Sequence, residues 1–350
     1  MKIFVQVVIS FLLAWWPIVA LTSVMMFGGP GSTNDAKNLK FAILLILYPA
    51  VFGVGLYLFN FSLWGIPPKW TLITTLIAPI LAILLFGYPK MLINAKAGIP
   101  NDRYFKSESQ VYYYGNKMKA DPATFEIIEE TNADPLARTN NLYAKDKNQV
   151  FLKGKPIPSA DPKTFHLIGS GWRYAKDARH VFFEGKVIAG VDHTRFAKVQ
   201  PVVENDQSYT DGNSLVYWGA VVGKVDGATV QSIGPSYVKD RTQVFYLGKQ
   251  ILGADPVTFA VINAGPFSRD KSQVYHGTTV LPQARPETFQ VLERSYAKDD
   301  QHVFYVESEN QVKIIEGADP QGFKVTQFDS KRGSDAFDGK NYFLNGKLLH

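Results

Sequence analysis

Six histidines, a series of recurring aspartates and one Gly-Ser-Gly triplet are the residues from which chemistry would have to be built, since the 350-residue chain has no cysteine. Without cysteine there is no disulfide, no thiolate nucleophile and no cysteine-type zinc site. His166, His180, His193, His276, His302 and His350 fall into no HExxH or H-x-E arrangement, so the spacing that aims paired imidazoles at one metal ion is missing. His180 and His302 occupy equivalent places, each just before a valine, where comparable segments carry Gln. A solvated polar position accounts for both. Gly169-Ser170-Gly171 lacks the G-x-S-x-G frame that raises a serine on a strand-to-helix elbow. Asp146, Asp177, Asp240, Asp270 and Asp299 are the candidates for calcium. That ion takes six to eight oxygens, however, and no D-x-D-x-D run supplies them; Asp335-Ala-Phe-Asp338-Gly-Lys-Asn341 comes nearest. Asp121, Asp161, Asp192, Asp255 and Asp319 recur singly along the chain, as turn caps do, whereas catalytic carboxylates come as one convergent pair. No catalytic, cofactor-binding or metal-binding residue is assigned. The expectation is a protein that is not an enzyme and carries no cofactor.

These residues belong to a repeat. Tyr143-Ala-Lys-Asp146-Lys-Asn-Gln-Val150-Phe151-Leu-Lys-Gly154-Lys is followed by Ala160-Asp161-Pro162-Lys-Thr164-Phe165. Related copies begin at Tyr104, Tyr174, Tyr209, Tyr237, Phe267 and Tyr296, and a partial copy, Asp338-Gly-Lys-Asn341-Tyr342-Phe343-Leu-Asn-Gly346, closes the chain. That makes seven copies plus a partial one, with starts 28 to 39 residues apart. Asp and Asn bond nearby backbone and so form a turn. Val-Phe-Tyr favours a strand, and its alternation places Val and the second aromatic on one face. Gly in x-Gly-Lys supplies a tight hairpin turn. Ala-Asp-Pro-x-Thr-Phe reads as a capped single helical turn whose Phe points into the core before another strand. A unit of this size cannot bury its own apolar face and must stack on its neighbours. Three departures stand out: Ser107 in place of the turn Asp, Arg285 in place of the capping Asp, and an insertion near Glu307–Gln311.

Residues 104–350 resemble the DKNYY family, with Asp146-Lys147-Asn148-Gln149-Val150-Phe151 the nearest match to the signature, Phe standing for its Tyr. The resemblance implies an anchored or secreted bacterial protein of unassigned biochemical activity. It supplies no chemistry.

Ahead of the repeats, Ile3–Phe27, Phe41–Trp64 and Trp70–Tyr88 are apolar runs, each near or above the roughly 20 residues that cross a hydrocarbon core of about 30 Å. Pro17 is placed to kink the first. That run is too long for the core of a cleaved signal peptide and lacks a small-x-small exit, so it is expected to stay. Asn60-Phe61-Ser62 matches a glycosylation triplet but falls inside the second run. No acidic residue or histidine lies within a run, which disfavours ion transport. Residues 1–100 carry six basic residues and one acidic, leaving 31 basic and 30 acidic for the remainder. The positive charge thus flanks the spans, and nucleic-acid binding, which needs clustered cations, is not expected.

The sequence therefore predicts a three-helix transmembrane region over residues 1–98, with helices at about 3–27, 41–64 and 70–88, and an all-β repeat array over 99–350. An open β-solenoid-like stack is preferred, because 28–31 residues are few for a propeller blade of about 40–45; a β-propeller-like ring is the alternative. The expected role is a non-enzymatic protein of the bacterial inner (plasma) membrane that presents a protein-interaction surface in the cell envelope. A cell-wall or glycan-binding module is one alternative, and a membrane-anchored immunity-type protein against a toxin another. Trp172 and Trp218, outside the repeat consensus, discriminate: exposed and coplanar they favour glycan, buried they favour a protein partner. Side is contested. Lys37, Lys40, Lys90, Lys96 and Arg103 flank the spans on the repeat side against Lys2 and Lys69 on the other, which favours cytoplasmic repeats. Cysteine-free composition and the family resemblance favour the periplasm, the orientation expected here.

Overall fold

The computed structural model describes residues 2–23, 32–129, 142–169, 171–202, 207–262, 265–293, 295–308 and 311–349. The chain divides into two compact units, Met1–Lys163 and Thr164–His350.

The first unit opens with six α-helices among its described residues: α1 (Lys2–Ala14), α2 (Trp16–Thr22), α3 (Ala36–Ile46), α4 (Tyr48–Leu58), α5 (Pro68–Leu85) and α6 (Tyr88–Lys96). Proline sits at the first or second position of α2, α4, α5 and α6, where its fixed φ suits a helix start and its missing N–H costs nothing. Pro17 and Pro49 thus join α1 to α2 and α3 to α4 end to end. Three stretches, Lys2–Thr22, Ala36–Leu58 and Pro68–Leu85, are long and apolar enough to cross a membrane. Their limits differ from the apolar runs. The second begins at Ala36 because the Asp35 carboxylate accepts a hydrogen bond from the Lys37 amide at 2.7 Å and caps the helix. It ends at Leu58, with Asn60 at φ 47°, so Asn60-Phe61-Ser62 lies in a connection and not in a span. The third ends at Leu85, Gly87 turns at φ 73°, and the short α6 follows. Residues 24–27 of the first run lie outside the described residues.

Side chains tie the helices into an antiparallel bundle. Gln6 donates to the Ser62 carbonyl at 3.1 Å and Trp64 Nε1 to Ser10 Oγ at 2.8 Å at one end. Trp16 Nε1 donates to the Ile46 carbonyl at 2.8 Å. Gly53 lets α4 close onto Thr75 of α5. At the other end Tyr88 is fully buried against Leu39, Ala42 and Ile46, so α6 packs on α3.

From Tyr104 onward the described residues form eight small antiparallel sheets, three strands in the first and four in each of the rest. The second is typical: Glu126–Ile128, Tyr143–Lys145, Val150–Leu152 and Lys155–Pro156. Its first strand is the tail of copy one, and the other three are copy two, so each copy lends a strand to the sheet of its successor. The hairpin turn has Lys153 at φ 51° and Gly154 at φ 75°, the twist-matched geometry for two-residue hairpins.

The expected alternation is corrected. Val150 and Phe151 are both buried, at 0% and 1%, while Leu152 is only half-buried. The reason is that both faces of a sheet are covered. Tyr104, Val111, Met118 and Phe125 of copy one pack against Ala144 and Phe151 of copy two. Similarly, Tyr296, Val303, Ile315 and Phe323 of copy seven meet Ala336 and Phe343 of the last. Asp121-Pro-Ala-Thr124 closes as one hydrogen-bonded turn, the Thr124 amide donating to the Asp121 carbonyl at 3.3 Å. It goes no further into a helix, because Phe125 turns inward and the chain enters its next strand.

Candidate functional site

The recurring aspartates work between copies. In copy two, Asp146 Oδ1 accepts the amides of Asn148 and Gln149 at 2.7 and 2.8 Å, which shapes the turn. Its Oδ2 accepts the amide of Asp121, the capping residue of copy one, at 2.8 Å. The same clasp runs from Asp211 to the Asp192 amide, Asp240 to Asp226, Asp270 to Asp255, Asp299 to Arg285 and Asp338 to Asp319. Burial alone would push the carboxyls of Asp211, Asp240, Asp270 and Asp338 up, but the converging amides outweigh it and hold all four below the ordinary carboxylate value. Each capping Asp in turn accepts an amide two residues on, as Asp121 does from Ala123 at 3.0 Å. The clasp aspartates thus spend both oxygens on backbone donors, which is the chemistry of a turn.

A charge pair overlies several clasps. Lys147 bridges to Asp121 at 2.9 Å and Lys271 to Asp255 at 3.3 Å, while Arg241 lies on Asp226 at 2.5 Å. Arg285 breaks the sequence pattern but keeps the pair: its guanidinium meets Asp300 at 3.1 Å, and Asp300 stands where Lys147, Arg241 and Lys271 stand in their copies. The two signs have exchanged places across the same junction.

The repeated aromatics are explained likewise. Tyr104 Oη donates to the Leu142 carbonyl at 3.1 Å and accepts from the Gly154 amide at 2.8 Å, both in the next copy. Tyr296 Oη reaches Asp335 at 2.7 Å and accepts from Gly346 at 2.9 Å. The second aromatic of the strand covers the hairpin glycine of the next copy. A Cβ on Gly154 would lie 2.7 Å from the Tyr113 ring, and one on Gly248 2.8 Å from Tyr217. At the start of the array, where no copy precedes, Asn94 of α6 takes this place and donates to the Gly115 carbonyl at 3.1 Å and to Asn101 at 2.9 Å.

Among the described residues the histidines do not converge. His166 Nδ1 lies 2.9 Å from the Thr164 carbonyl, and His276 takes a second-aromatic position, buried beside Phe267. His180 and His302 hold their rings against Phe182 and Phe304 in matching geometry. His350 and Ser170 lie outside the described residues.

Among the described residues, a surface cluster in the second unit stands outside the consensus. The Arg173 guanidinium lies 5.0 Å from the Trp172 ring and 4.7 Å from the Trp218 ring, and pairs with Glu184. Trp218 sits at the hairpin tip of copy four at φ 48° and is 46% exposed, its ring edge-on to Phe183 of copy three. The two tryptophans therefore match neither arrangement that would discriminate between partners. Trp218 is exposed and Trp172 half-buried, and a cation covers one face of each. Arg173 and Glu184 were not singled out in the sequence; the signal was the Trp-Arg pair directly before the lead Tyr174.

No curated protein and no solved structure matches the chain. The DKNYY family model matches residues 90–155, 143–279 and 265–347. These matches overlap, cover the clasps and stacked aromatics just described, and take in well over half of the sequence: the chain belongs to the DKNYY family.

Proposed function

We propose that this protein is a non-enzymatic membrane anchor that holds out an open array of repeats as a docking surface for another protein, with contact centred on Trp172, Arg173 and Trp218. The observation that carries the reading is that cluster. Tryptophan and arginine are the residues most enriched at the energetic centres of interfaces, and here they are gathered away from the positions that build the repeat. Coverage of the indole faces by Arg173 leaves less open ring for a sugar to stack on and favours a protein partner. The test is capture of partners by the detergent-solubilised full chain from its native host, quantified by mass spectrometry. Trp218→Ala and Arg173→Ala are each expected to lose the same partner that the parent retains. An unchanged partner set in both variants would move the docking surface elsewhere.

In this reading the repeats face the extracytoplasmic side of the bacterial inner membrane. The basic count points the other way, but long domains translocate largely regardless of flanking charge. Val257 is 82% exposed and the chain has no cysteine, so Val257→Cys introduces a single accessible thiol. A membrane-impermeant maleimide is expected to label it in intact spheroplasts. Labelling only after lysis would put the repeats in the cytoplasm.

A further inference from the structure

A junction between two copies joins a strand edge, a pair of rings and an aspartate clasp. The tail strand of one copy pairs with the lead strand of the next: the Ile168 amide donates to the Tyr174 carbonyl at 3.1 Å, and the Ile262 amide to the Phe267 carbonyl at 2.8 Å. The inward Phe of one copy meets an aromatic ring in the second strand of the next. Phe259 meets Tyr275 and Phe323 meets Phe343, with centroids 5.9 and 5.3 Å apart. The clasp closes the same junctions.

Copy one has no copy before it, and among the described residues no strand lies on the outer side of its lead strand, Tyr104–Lys106. That strand bonds to its inner neighbour at alternate residues. The Arg103 carbonyl accepts from the Tyr114 amide at 3.1 Å, and the Ser107 amide donates to the Gln110 carbonyl at 2.9 Å. Antiparallel alternation therefore turns the Phe105 backbone inward and the N–H and C=O groups of Tyr104 and Lys106 to the outer side. The side chains are more open here as well. Phe105 and Tyr112 are half-buried with centroids 6.2 Å apart, whereas their counterparts in copy two, Ala144 and Phe151, are 0% and 1% exposed. Lys106 is exposed, where Lys145 is half-buried. The clasp alone is dropped. Ser107 stands for the turn aspartate, and its Oγ is spent within its own turn, accepting from the Gln110 amide at 3.1 Å and donating to the Gln110 carbonyl at 2.9 Å.

We infer that this end of copy one is a docking site for an extended segment of another protein, which adds a strand along Tyr104–Lys106 and sets an aromatic ring on Tyr112. The occupant follows from the junctions inside the chain, where the same edge and the same ring position receive a strand led by Phe. Backbone groups on a sheet edge are matched by another extended backbone. The partner segment carries an aromatic residue followed by aliphatic ones, in the pattern of Phe259-Ala-Val-Ile262. It needs no Asp-Pro turn ahead of them, because Ser107 offers no carboxylate to clasp one. The site is distinct from the Trp218 surface and does not depend on it.

The test is fluorescence anisotropy of a labelled synthetic peptide with the sequence of residues 254–262, titrated with the full chain in detergent. Saturable binding is expected. Methylating the peptide nitrogen that corresponds to Ile262, the donor at the native junction, is expected to weaken binding roughly tenfold, and exchanging the peptide's Phe for Ala to weaken it by a similar factor. A peptide with a photoreactive benzophenone in place of that Phe is expected to crosslink within residues 104–114, as mapped by mass spectrometry. These comparisons alter the peptide and leave the protein as it is, so loss of fold cannot mimic the result. No binding by the parent peptide, equal affinity of the methylated one, or crosslinks confined to other copies would each overturn the proposal.

Discussion

Truncating Phe165 to alanine is expected to cost the repeat array about 3–5 kcal/mol of folding free energy, as a large-to-small change in a packed core. Phe165 is 4% exposed and its ring centroid lies 5.5 Å from that of Phe182, at the place where Phe125, Phe259, Phe289 and Phe323 fill the same role in their copies. Copy four places Val230 there; the other full copies commit one large ring each to the gap between sheets. Denaturant unfolding of the full chain in detergent, followed by near-ultraviolet circular dichroism, measures the loss. Unfolding at the parent's midpoint would mean that the ring carries no core, and the repeat register drawn from it would fall.

Asp240→Ala is expected to rank second, at about 3 kcal/mol, through loss of acceptors for buried donors. The Asp240 carboxylate is 4% exposed and accepts the amides of Thr242 and Gln243 at 2.7 and 2.9 Å, together with that of Asp226 in the preceding copy at 3.0 Å. Removing it opens a turn and a junction at once. The same contacts set a pH dependence. The native carboxyl is held below its ordinary value, its amide partners outweighing the effect of burial, so its stabilisation is complete above the unfolded-state pKa of about 4. It is lost as pH falls through the lower native value. Asp211, Asp270 and Asp338 act in the same direction. The parent is expected to hold its thermal midpoint from neutral pH down to about 4 and to lose it steeply below, and Asp240→Ala to fall less steeply over that acid range. Parallel acid curves for the two proteins would show that Asp240 carries none of this dependence.

The repeat unit, its turn aspartate, its hairpin glycine and its inward phenylalanine were legible because each answers to a local rule. Asp bonds its own turn, Gly takes φ > 0, and Phe at a fixed offset marks a core. What one copy could not reveal was what its neighbour does to it. Alternation predicted one buried face for Val150-Phe151-Leu152, and stacking buried two. The second Asp146 oxygen is spent on the Asp121 amide, a bond between residues 25 positions apart that no local pattern encodes. The helical half shows the same limit. Hydropathy found three spans but placed their ends by composition, while the chain ended them by capping at Asp35 and by left-handed turns at Asn60 and Gly87. In the candidate site, the two tryptophans were visible as departures from the consensus. Arg173 was not, because its role appears only when copies three and four are brought together.

The exchanged pair Arg285–Asp300 bears on how near-identical copies find their proper order. Any copy carries surfaces that nearly fit any other, so a nascent array is open to slipped stacking in which one copy is skipped. If the copy that begins at Tyr296 settled on the one that begins at Tyr237, Asp300 would meet Asp255, acid against acid, where Lys271 belongs. Exposed like charges cost only on the order of a few tenths of a kcal/mol, yet the correct neighbour gains by a similar amount while the wrong one loses. Reversed polarity at a single junction thus works as an address written into an otherwise uniform chain, marking which copy comes after which.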